Sequence, residues 1–297
     1  MGYLFLSFSL LAGVVKGYCG KKMSSYATDT NSAVLLNTIR MAFCLVFSIL
    51  LVLISRDIEF LNLNPRIIFI SSLSGISTSV FLVSWLLSVR KSAYMMLDVF
   101  LMLGTLVPML VCRFVFDESI TAKQWIGYCI LIIAVITMCS YNNSIKVKIT
   151  VSAFLLLIAC GFANGIADLS QKMFVREYPD IPISIFNLYT YFFAASSLGL
   201  FCLILTRKKP SAQSKTKESK KYIVYIIVMS LALIVNSLFK TQAATYLDSA
   251  RLYPLNQGVA LTLSTLMAAI FFKEKLNLKC IAGILLAFIG LLIMNVL

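Results

Sequence analysis

The chain has 297 residues, 60% of them hydrophobic and only 13% charged, with a mean hydropathy of +0.92 and a formal net charge of +14. A water-soluble domain of this size has about a quarter of its residues charged, so a soluble globular protein is excluded and an integral membrane protein implied. The basic excess lies mostly in short connections, where lysine and arginine serve orientation and contact with anionic lipid; nucleic acid is not expected as a partner.

Crossing a bilayer takes about twenty apolar residues as a helix, or alternating segments of about ten in a barrel. Runs such as LLNTIRMAFCLVFSILLVLI at 35–54 do not alternate, so helices are expected. The first run, 3–27, lacks a basic n-region and an A-x-A site, and reads as a retained helix interrupted by Lys16. The second, 33–54, carries Arg40. The third, 67–88, has small residues every four positions (Ser71, Gly75, Ser79), a stripe for close packing, and ends near Trp85. The fourth, 93–115, opens with Tyr94 and Asp98, and Pro108 is expected to kink it. The fifth spans 124–140, and the linker YNNSIKVKIT at 141–150 then separates residues 1–140 from 151–297. The sixth run, 151–175, holds Asn164, Asp168 and Lys172, and the seventh spans 182–205. A Ser/Lys-rich stretch at 207–221 reads as a surface loop. The eighth run, 222–245, holds Asn236, Lys240 and Gln242. The ninth, 253–272, opens on YPLNQGVAL with Asn256 and Gln257, and the tenth spans 280–296. The expected fold is an all-α membrane protein of ten transmembrane helices.

The two sets of five repeat one another. With a constant shift of 156, Phe116 falls on Phe272, Glu118 on Glu274, Lys123 on Lys279, Gly127 on Gly283 and Ile133 on Ile289. The first and sixth helices match more loosely, KGYCGKKM resembling NGIADLSQKM. Five is odd, so the second copy must enter the membrane from the opposite side, giving two inverted five-helix repeats, an arrangement that suits alternating access. Glu118 and Glu274 sit in the repeated loop, where a role in capping a helix start suffices. Gly127 and Ala134, like Gly283 and Gly290, read as packing seams.

The strings FDESITAKQWIGYCILIIAVI and FKEKLNLKCIAGILLAFIGLL, with Arg40 in the second helix and Pro108 in the fourth, resemble the EamA group of the drug/metabolite transporter superfamily. The resemblance covers the whole chain. It implies ten helices, a central cavity lined by helices 1–4 and 6–9, and peripheral packing by helices 5 and 10. The tryptophan usual in helix 1 of that group is replaced by Lys16, and in helix 6 by Asn164.

Charges inside a bilayer are costly, at least about 2.5–3.5 kcal/mol on insertion scales, and mark functional sites. Six qualify: Lys16, Arg40, Asp98, Asp168, Lys172 and Lys240. Arg40 and Lys172 are the long side chains best placed to snorkel to an interface. Four cations against two acids favour an anionic or zwitterionic solute. A carboxylate or phosphate would sit on Lys16 or Lys240, and an amine on Asp98 or Asp168. Either acid could also carry a proton, which leaves proton coupling open. Asn164, Asn236, Gln242, Asn256 and Gln257 add polar wall, and Trp85 and Tyr94 flank the third connection. The eight cysteines contain no C-x-x-C pair and the chain has no histidine, so neither a metal site nor a cofactor is expected. With no G-x-S-x-G and no dense acid cluster, an enzyme is not expected either.

The basic residues of the odd-numbered connections outnumber those of the even ones, which by the positive-inside rule leaves both termini outside. The family resemblance implies the reverse. The reading reached is a secondary-active transporter in the bacterial cytoplasmic membrane, an exporter of small polar or zwitterionic metabolites such as amino acids, working by alternating access through a central charged cavity. The alternative is a flippase of a lipid-linked or amphipathic anionic substrate.

Overall fold

In hydrocarbon every backbone N–H and C=O must find a partner within the chain, which drives apolar runs of this length into helices. The computed structural model describes residues 1–24, 26–27, 29–61, 63–91, 94–140, 151–208, 219–272 and 278–295. The linker 141–150, most of the loop at 207–221, and Glu274 lie outside them. Among the described residues there are eleven α-helices and no strand. They are α1 Gly2–Met23, α2 Thr30–Ser55, α3 Pro65–Lys91, α4 Tyr94–Gly104, α5 Leu106–Val115, α6 Ala122–Ser140, α7 Val151–Glu177, α8 Ile183–Lys208, α9 Ser219–Tyr246, α10 Ser249–Phe272 and α11 Leu278–Asn295.

Local sequence sets the ends. The α2 helix begins with a capping box: Asp29 Oδ1 accepts from Ser32 N–H at 2.9 Å, and Ser32 Oγ accepts from Asp29 N–H at 3.0 Å. It stops at Arg56, whose left-handed φ of 60° turns the chain into a short 3-10 turn, Asp57–Phe60. The expected fourth helix is two pieces. Pro108 has no N–H for the Gly104 carbonyl and its ring crowds that turn, so α4 stops at Gly104 and α5 resumes at Leu106. Two side chains take up the slack, Thr105 Oγ1 donating to Met102 O at 2.8 Å and Tyr128 Oη donating to it at 3.0 Å. Pro254 lies inside α10, which starts four residues earlier than 253 and runs on through it to Phe272.

Among the described residues, six helices are long and apolar enough to cross a membrane: Gly2–Met23, Thr30–Ser55, Pro65–Ser88, Phe154–Glu177, Ile183–Leu205 and Ile223–Tyr246. Their outer faces are apolar, with Leu11, Leu53, Ile54 and Leu203 each more than half exposed. In water such a surface would aggregate; in lipid it is solvated. The chain is an integral, multi-pass membrane protein.

Named contacts give the direction of each crossing. Along α1, Gly2 meets Leu247, Ser9 meets Asn236 and Gly20 meets Met229, so α1 and α9 run antiparallel. Along α3, Arg66 pairs with Glu177 and the Phe81 carbonyl meets Cys160, so α3 and α7 are antiparallel too. The α6 and α11 helices oppose each other at Gly127, which meets Met294, and at Gly290, which meets Leu131. Asp57, just past α2, accepts from Ser184 Oγ at the start of α8. The α4 and α7 helices run parallel in backbone contact: a Cβ at Gly104 or Gly161 would overlap a main-chain carbonyl of the facing helix, as would one at Gly165. Only glycine permits that approach. At the end where α7 and α9 finish, an apolar core forms around Phe174, Phe186, Leu252 and Tyr253, with Phe174 and Phe186 stacked 4.6 Å apart.

Candidate functional site

A cavity of about 110 Å³ lies midway along the bundle, between helices of both halves of the chain. Its polar wall holds Lys16 of α1, Arg40 of α2, and Asn236 and Lys240 of α9. Asn164 of α7 and Asn256, Gln257 and Ser264 of α10 complete it. Apolar side chains supply the rest, among them Phe81 and Trp85 of α3, Leu101 of α4 and Met267 of α10. Trp85 reaches the cavity because residue 20 is glycine; a Cβ there would lie 2.5 Å from the indole ring.

The charged groups differ sharply in how they are satisfied. Asp168 is fully buried, and Lys240 Nζ donates to its Oδ1 at 2.5 Å. Asn164 Nδ2 donates to Oδ2 at 3.3 Å, and Tyr253 Oη donates to the Asp168 carbonyl at 2.7 Å. Asp168 therefore stands behind the wall, as the counter-ion of Lys240. Asn236 is largely used too, its Nδ2 donating to Ser9 O at 2.8 Å and Ser9 Oγ at 2.9 Å, which ties α9 to α1. Arg40 is the opposite case. It is 3% exposed, and its Nε and Nη2 have no hydrogen-bond partner among the described residues. Its own helix offers it no acceptor, and Ser230 Oγ of α9 donates to its carbonyl at 3.1 Å, which holds the backbone against the bundle. Arg40 does not snorkel: packing by neighbouring helices encloses it.

Lys172 does not snorkel either, and it is not part of the cavity. It is 1% exposed, and its Nζ donates to the carbonyls of Ala244 at 2.9 Å and Leu247 at 2.7 Å, closing the end of α9. Its third partner is Glu118 Oε1 at 3.0 Å. Gln242 lies in a separate surface cleft with Phe174, Tyr178 and Asp180. Asp98 and Tyr94 fall within α4, and their side chains are outside the described residues.

Glu118 was legible only as a loop acid, yet it is a hub. It is 5% exposed, and it follows Asp117, whose φ of 51° turns the chain inward. Besides Lys172, it accepts from Arg176 Nη2 at 3.1 Å and from Ser249 N–H at 2.7 Å. It does cap a helix start, but that of α10. The helix after its own loop, α6, is capped by Thr121 and Gln124, which exchange backbone-to-side-chain bonds of 2.8 and 3.3 Å. Burial pushes the Glu118 carboxyl up, but the Lys172 charge and the Ser249 N–H together outweigh it and hold it below its ordinary value. Arg176 extends the network to Asp248 at 3.5 Å. One acid thus ties the α5–α6 connection to α7, α9 and α10. The signal that could have found it is its recurrence as Glu274 under the shift of 156.

Against known families, residues 151–296 match the sequence model of the EamA-like transporter family. The second half of this chain belongs to the EamA-like transporter family. That EamA-like half contributes Asn164, Asp168, Asn236, Lys240, Asn256 and Gln257 to the cavity region. The match makes the protein a membrane transporter of small solutes. A solved chain described only as "Crystal structure of protein" has the same fold: TM-score 0.70, 14% sequence identity, 97% of this chain covered and 96% of that one. No curated protein matches the sequence.

Proposed function

We propose that the protein is a secondary-active transporter that carries a small anionic or zwitterionic metabolite through the central cavity by alternating access. The observation that carries this reading is the cavity itself, bounded by both halves and presenting Lys16, Arg40 and Lys240 at mid-bundle. Lys240 is matched by Asp168, but no stable packing needs Lys16 and Arg40 there; a charged solute does.

Two inverted five-helix repeats, 1–140 and 151–297, fit the packing. If each helix of the first set is exchanged with its counterpart in the second, the α1–α9 and α7–α3 crossings swap places. The α6–α11 and α2–α8 crossings map onto themselves. All four are antiparallel. Alternation along the chain then threads the copies in opposite senses, and like halves can trade which side they open to. Export across a bacterial cytoplasmic membrane is the direction and place we assign.

Reconstituted protein should move labelled small organic acids or amino acids into vesicles, and Lys16→Ala should abolish that flux while the variant still purifies as a folded species. Flux that survives Lys16→Ala would overturn the cavity as the route. Lipid scrambling without solute uptake would replace the reading with a flippase of amphipathic anionic lipids.

A further inference from the structure

Charge accounting in the cavity is not balanced. Lys240 is neutralised by Asp168, which is fully buried behind the cavity wall and is not among the groups that line it. Lys16 and Arg40 have no carboxylate partner among the described residues. Both line the same cavity, so their like charges repel across it. A planar guanidinium whose Nε and Nη2 both lack acceptors has the fork that matches one carboxylate or phosphate. A solute ammonium entering the same space would meet Lys16, Arg40 and Lys240, and no described carboxylate is free to hold it.

Building on the transporter reading above, we propose that the transported solute is a small organic dianion without an ammonium group, its head on the guanidinium of Arg40 and its second charge opposite Lys16. This narrows the substrate class from anions and zwitterions to dianions, and moves the anion-binding role from Lys240 to Arg40. Asn256 and Gln257, on the same wall, face the remaining polar atoms, and Phe81, Trp85 and Met267 cover the carbon skeleton. A cavity of about 110 Å³ limits that skeleton to a few carbons. The site holds its two cations in mutual repulsion while empty, which is the ground-state arrangement a ligand of matching charge relieves.

The test uses three four-carbon probes of nearly equal size: succinate with two negative charges, aspartate with an added ammonium, and neutral succinamide. Purified full-length protein is melted in detergent with each at equal millimolar concentration. Succinate should raise the melting temperature by about 2–4 °C, aspartate by less and succinamide not at all. Arg40→Gln and Lys16→Met should each erase the succinate shift, and each should melt no lower than the parent without ligand, because each removes a repelling charge. Aspartate or succinamide stabilising as well as succinate, no succinate shift at all, or both variants melting lower than the parent would each overturn the proposal. Vesicle flux separates this from the transporter reading. Transport of aspartate but not succinate sinks the dianion site and leaves the transporter standing, whereas succinate binding with no flux of any probe does the reverse.

Discussion

Replacing Glu118 by glutamine keeps the shape of the hub and removes its charge. Lys172 is then left 1% exposed, with two carbonyls and no counter-ion. Breaking a buried pair by neutralising one partner costs about 3–5 kcal/mol, and the glutamine oxygen can still accept one of the lost bonds, so about 3 kcal/mol is expected. For a chain of this size that corresponds to a fall of roughly 5–10 °C in apparent melting temperature, followed by intrinsic fluorescence in detergent. The double variant Glu118→Gln with Lys172→Met should recover part of the loss, since no buried charge remains, though the α9 carbonyls stay uncapped. Acid gives a second readout. The folded carboxyl lies below its ordinary value of 4.5, so its contribution is fully present above that value and is lost as the pH falls through the folded one. The parent should lose stability with that slope in acid, and Glu118→Gln should not. A single variant that melts within a degree of the parent, or a double variant no better than the single, would refute the reasoning.

Lys240→Met should destabilise the protein, because Asp168 is left fully buried without its counter-ion; adding Asp168→Asn should restore the melting temperature. Gly161→Ala should fail to give a monodisperse purified species, since its Cβ would overlap the Phe100 carbonyl on α4, whereas Gly199→Ala, with nothing within 4 Å, should be neutral or stabilise by about 0.4–1 kcal/mol. Arg66→Ala removes an exposed pair with Glu177 and should cost no more than about 1 kcal/mol by the same melting assay.

The helices were readable because apolar runs of membrane length admit little else, and the break at Gly104 followed from one residue, Pro108. Lys16, Lys240 and Asn164 were readable as cavity residues because polar groups deep in such runs are expensive unless something uses them. Arg40 and Lys172 were harder. Both look able to reach an interface along their own helix, and the groups packed on them come from distant parts of the chain: Ser230 on Arg40, and Glu118, Ala244 and Leu247 on Lys172. Glu118 was misplaced for the same reason: its partners sit on α7 and at the junction of α9 and α10, and a loop position says nothing about a helix end that packs on it from another repeat.

The order in which the ribosome delivers these groups follows from the Lys172 tether. Glu118 is made first, Lys172 some fifty residues later, and the Ala244 and Leu247 carbonyls last. A nascent chain that ends after α8 already owns the acid that neutralises the lysine, so α7 can be released from the translocon as an ion pair rather than as a bare charge. The carbonyl ends of α9 then dock onto an ammonium that is waiting for them.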